Sequence, residues 1–136
     1  MQRGHGLTLL ELVVAVSLLT VVLLAFAGAL LQGAALDAFT AERSAATAAG
    51  MSELEAVVAE PWELQPAQDG RTFEVWVTTE SGPRALPPAA SLAQPGRVSV
   101  VDLAAPDLRR VAVSVRWRSR SGADAALELE TWVTRR

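Results

Sequence analysis

The sequence predicts an α+β chain: a long N-terminal helix, transmembrane in its first half and amphipathic in its second, packed on a small antiparallel β-sheet. Three observations predict it. Residues 7–31 carry a single charge, Glu11. No proline occurs before Pro61, and residues 32–60 are rich in the helix formers Ala, Leu and Glu. Beyond residue 70, apolar and polar residues alternate in short runs separated by Gly and Pro.

Each element follows in order. Residues 1–6, Met1-Gln2-Arg3-Gly4-His5-Gly6, form a short polar leader. A helix over residues 7–31 is about 37 Å long at about 1.5 Å per residue. That exceeds the hydrocarbon core of a bilayer, about 30 Å. A secretory signal is a poorer fit, because its apolar stretch runs only about 7–15 residues. A plain single-pass anchor, with a head that never polymerises, is the other competing reading. Arg3 and the initiating amine precede the apolar run, which orients the N-terminus to the cytoplasm and the head across the membrane. Residues 32–61 continue the helix, with Leu36, Phe39, Ala46, Gly50, Met51, Leu54, Val57 and Val58 as an apolar stripe. Asp37, Glu42, Arg43, Glu53, Glu55 and Glu60 are expected mostly on the other faces. Gly28 and Gly33 are candidate bending points.

Pro61-Trp62 ends the helix, with Trp62 expected to plug the helix-to-sheet junction. Residues 70–136 make a β-rich head. Its first strand spans residues 71–80, with Phe73, Val75, Val77 and Thr79 on one face. Residues 81–96 hold four prolines and two glycines and read as an irregular loop. Val98, Val100, Val101 and Leu103 suggest a short strand. A hairpin closes the chain: Val111, Val113, Val115 and Trp117 on one strand, Leu127, Leu129, Thr131 and Val133 on the other. Its expected register pairs Trp117 with Leu129, which sets Arg118 opposite Glu128 and Arg116 opposite Glu130.

Composition narrows the function. With 136 residues the chain holds one small domain and a membrane segment. It has no cysteine, so disulfide and thiol chemistry are excluded, and every one of its 12 basic residues is Arg. Charge is divided along the chain: net 0 over residues 1–31, −7 over 32–80 and +4 over 81–136. Such a division favours pairing between the regions or with neighbouring subunits. His5 is the lone histidine, and no phosphate-binding glycine loop or nucleophile elbow occurs. The expectation is no enzyme activity and no cofactor. Asp102 and Asp107 are too few to assign a metal. Trp76 and Trp132 fall on the polar faces of their strands and are candidate subunit contacts. Arg116, Arg118 and Arg120 form a basic stripe that raises a competing reading, contact with DNA. Two expectations weigh against it: Glu128 and Glu130 neutralise the stripe, and Trp117 faces the other way.

The segment Gly6-Leu7-Thr8-Leu9-Leu10-Glu11 and the apolar run behind it resemble the N-terminus of type IV prepilins and type II secretion pseudopilins. There a polar leader ends in glycine, and an acid lies fifth after the cut. The resemblance implies cleavage between Gly6 and Leu7 by a prepilin peptidase, and N-methylation of Leu7. It also implies that Glu11 attracts the freed amine of an adjacent subunit during assembly. Leu7 stands where the family most often has phenylalanine, and Gly28 where a proline is common. The head looks like those of PilV-like minor pilins and I-type minor pseudopilins. The implied partners are the peptidase, other pilin or pseudopilin subunits and an inner-membrane assembly platform. The implied location is the inner membrane, then the tip of a pilus or pseudopilus.

Overall fold

The computed structural model describes residues 8–104 and 107–135. The chain divides after Leu36 into two compact units. Helix α1, Leu9–Ala59, runs through both and stays helical across Gly28 and Gly33. Its first part, dominated by Leu, Val and Ala, is exposed along its length and is long and apolar enough to cross a membrane.

In the second unit the amphipathic part of α1 meets two antiparallel sheets. A four-stranded sheet has the order β1 (Thr72–Phe73), β4 (Gly96–Asp102), β5 (Leu108–Arg118), β6 (Asp124–Thr134). A separate two-stranded sheet pairs β2 (Trp76–Thr79) with β3 (Gly82–Ala85). The architecture is α+β, as the sequence predicts. Val98, Val111, Val113 and Val115 are fully buried, and Trp117 nearly so. Together with Ala46 and Val57 of α1 they form the centre of the core.

The helix stripe is narrower than its sequence suggests. Glu42, Ala46, Gly50 and Val57 are buried, whereas Leu36, Met51 and Val58 are exposed. Small residues let helix and sheet approach closely: a Cβ on Gly50 would stand 3.0 Å from Leu129 Cδ1. Glu42 corrects its expected place on a polar face, since only 2% of it is exposed.

Three expectations for the strands are also corrected. The single strand over residues 71–80 is two strands in two sheets, with Val75 between them accepting a hydrogen bond from Leu86 N at 2.8 Å. Phe73, Val75 and Val77 stay buried in alternation, so the side-chain pattern continues while the ladder partner changes. The loop over residues 81–96 contains β3, which tolerates Pro83 because β3 pairs on one side only. Finally, the hairpin register pairs Trp117 with Ala125 and Val113 with Leu129, four residues from the expected one. Arg118 therefore lies opposite Asp124 and Arg116 opposite Ala126, not opposite Glu128 and Glu130. The turn decides it. Ser119 N donates to Ala123 O at 2.8 Å, and Gly122 takes a left-handed φ of 85°. This closes a short loop, within the usual two to five residues or so for a hairpin.

Candidate processing and assembly site

Gly6 and Leu7, where the resemblance places the cut, lie outside the described residues. The geometry begins at Thr8. Thr8 Oγ1 accepts a hydrogen bond from Glu11 N at 3.2 Å, and Glu11 Oε2 accepts from Thr8 N at 2.8 Å and from Thr8 Oγ1 at 2.9 Å. This reciprocal pairing is a capping box, which satisfies backbone donors at the first turn of α1. The Thr-x-x-Glu spacing in the sequence carries that signal. Within the single chain the Glu11 carboxylate thus has Thr8 as its partner. In an apolar surrounding such local bonds offset part of the cost of a lone acid.

The head carries the other predicted residues. Trp76 and Trp132 are 57% and 65% exposed, so no loop of the head covers them. Trp62 sits just past α1 and is half-buried, with the Arg109 guanidinium 4.0 Å from its ring centroid. Arg109 is 4% exposed. It donates to Asp102 Oδ1 at 2.6 Å, Trp62 O at 2.6 Å and Gln65 Oε1 at 3.2 Å. Asp102 is therefore the partner of an arginine.

A second buried charge was missed by sequence reasoning. Glu42 Oε1 accepts from Arg84 Nη2 at 3.1 Å and Arg120 N at 3.3 Å, and Glu42 Oε2 accepts from Trp117 Nε1 at 3.3 Å. One carboxylate thus ties α1 to the β2–β3 hairpin, to β5 and to the last turn. No periodicity signals it, because its partners lie 42, 75 and 78 residues away.

The arginines of the last hairpin are placed differently from expectation. Arg116 and Arg118 are exposed, and Arg118 Nε donates to Gly122 O at 3.2 Å. Glu130 pairs instead with Arg110, at 3.7 Å.

Residues 1–27 fit the model of the prokaryotic N-terminal methylation motif. No curated protein and no solved structure matches the chain.

Proposed function

We propose, from the prepilin-type leader of type IV pilins and pseudopilins that this chain carries over residues 1–27, that it is a minor pilin or pseudopilin. It is a filament subunit without enzymatic activity. It is inserted in the inner membrane with its head outside, cut between Gly6 and Leu7, methylated on Leu7 and extracted into a type IV pilus or type II secretion pseudopilus. Its place there is at or near the tip. The observation that supports the reading is the motif over residues 1–27, which runs into a helix of membrane-spanning length, Leu9–Ala59. Glu11 lies at the fifth position after the cut, where a neighbour's Leu7 amine can replace Thr8 as its partner. A buried acid and amine each lower the other's desolvation cost.

N-terminal sequencing and intact mass test it. In cells with a prepilin peptidase the chain should start at N-methylated Leu7, and in cells without it at Met1. A start at Met1 in both, or a cut beyond the apolar run, overturns the reading.

One observation favours a second reading of the head. With Arg116 facing Ala126, the basic stripe of β5 is less neutralised than its sequence suggests. Contact with DNA would appear as salt-dependent binding of the full-length protein in detergent. Trp117 is 1% exposed and cannot stack on bases, so such contact would rest on phosphates alone.

A further inference from the structure

The last strand of the head ends the sheet before its apolar surface is covered. β6 pairs with β5 alone among the described residues, over eleven consecutive positions without a bulge. The bonds Ser119 N to Ala123 O and Arg135 N to Asp107 O, one at each end of the hairpin, fix the ladder's phase. Odd-numbered residues from Ala125 to Val133 exchange hydrogen bonds with β5. Even-numbered residues from Ala126 to Thr134 therefore turn N–H and C=O toward the open edge. Folds usually blunt such an edge with proline, charged side chains or a bulge; β6 has no proline and no bulge, and its only charges are acidic, Asp124, Glu128 and Glu130. The opposite edge, β1, is only two residues long.

The side chains agree. On the inner face Val111, Val113 and Val115 of β5 are fully buried, whereas Leu127, Leu129 and Val133 of β6 are only half-buried. Trp132 is 65% exposed near the end of the strand. Beside it the residues lining a cavity of about 480 Å³ include Val58, Glu60, Trp62, Gln65, Trp132 and Arg135. The outward row carries Asp124, Glu128 and Glu130, and β6 has no basic residue. Two copies of β6 laid edge to edge would bring like charges together, which is destabilising across a ladder.

We infer that β6 is a docking edge for an extended strand of a different filament subunit. That strand carries apolar residues toward Leu127 and Leu129, and Arg or Lys toward Glu128. The partner adds a fifth strand, with backbone bonds for affinity and alternate side chains for specificity. The inference rests on the filament-subunit reading.

Photo-crosslinking in cells that make the protein tests it. Ala126, exposed on the outward row, is replaced by p-benzoylphenylalanine in the full-length chain, and adducts are mapped by peptide mass spectrometry. The expected adduct is a basic strand segment of another subunit. Two variants act on it. Glu128→Pro removes an outward N–H without touching the β5 ladder. Glu128→Arg reverses the charge. Each should lower the yield about tenfold, the equivalent of about 1.4 kcal/mol. Thermal unfolding of both variants within a few degrees of the parent shows that the hairpin survives. An adduct with β6 of a second copy, with lipid or with DNA overturns the inference, as does a yield indifferent to both variants. N-terminal sequencing of the same cells separates the two failures. Chain processed at Leu7 but without an adduct removes the docking edge alone, whereas unprocessed chain removes the filament reading and the edge with it.

Discussion

Removing the Glu42 carboxylate should loosen the head more than any exposed charge can. All three partners are donors: Arg84 Nη2, Trp117 Nε1 and Arg120 N. Glu42→Ala leaves the Trp117 N–H orphaned in a site that is 1% exposed. An unsatisfied buried donor costs about 1–3 kcal/mol. The Arg84 pair adds less, because its guanidinium side is 47% exposed and screened by water, at most about 1 kcal/mol. The total is about 1–4 kcal/mol. For a head of this size each kcal/mol moves Tm by roughly 4–8 °C. Glu42→Gln is the more telling variant. An amide supplies one acceptor oxygen and one donating nitrogen, so at least one of the three donors would face another donor. It should therefore cost about half as much as the alanine, although its shape is nearly unchanged. Arg84→Ala should cost less than either. Denaturant unfolding of the full-length protein in detergent, followed by near-ultraviolet circular dichroism, measures all three. Glu42→Gln as stable as the parent, or Arg84→Ala more damaging than Glu42→Ala, would refute the reasoning.

Gly96→Ala should destabilise the head by about 1–3 kcal/mol, because its Cβ would lie 2.4 Å from the Phe73 ring and β1 would have to leave β4. Hydrogen exchange at Phe73 and Val98, whose N–H donates to Arg71 O, should accelerate in that variant before the rest of the sheet loosens. Arg109→Ala should cost about 2–4 kcal/mol by stranding Gln65 and the Trp62 carbonyl, and a shift of Trp62 emission should accompany the lower midpoint. Under the filament reading, Glu11→Ala should insert in the membrane and be processed as the parent is, yet fail to enter filaments. Fractionation of sheared filaments against membranes measures it, and equal recruitment would remove the role assigned to Glu11.

Much of this fold is legible because burial writes itself into periodicity. Val111, Val113, Val115 and Trp117 alternate in the sequence and share the buried face. The register is less legible for a physical reason. A slip of an even number of residues keeps every side chain on its own face, so alternation cannot distinguish Leu129 from Ala125 as the partner of Trp117. Opposite charges at Arg116 and Glu130 favoured one answer, but each such pair is worth only about 0.2–1 kcal/mol. The observed register closes a shorter loop, with Gly122 at positive φ, and extends the ladder to eleven pairs, which together outweigh them. The same limit hides the break between β1 and β2, since Phe73, Val75 and Val77 bury alike whichever sheet they belong to. Of the candidate site, the apolar run, the spacing of Gly6 and Glu11 and the Thr8–Glu11 capping box are all written in local sequence. The Glu42 node is not, because a polar residue on a helix ordinarily faces water, and its burial depends on donors brought in from the far end of the chain.

The division of charge along the chain explains what the head leaves unbalanced. Arg84 reaches Glu42, Arg135 reaches Glu63 at 3.5 Å, and Arg71 meets Glu53 within the acidic region. These pairs draw arginines toward the helix and its C-terminal junction. Arg109 and Asp102, and Arg110 and Glu130, pair within the sheet. Among the described residues Asp124 and Glu128 make no ion pair, and both stand on the strand whose edge is open. Exposed charges of this kind contribute little to folding. At an edge they do something else: they discourage a second identical strand and favour a basic one. The internal pairs hold the head's own strands and helix together, and under the docking inference the unpaired acids of β6 set the sign of charge that a neighbouring strand carries.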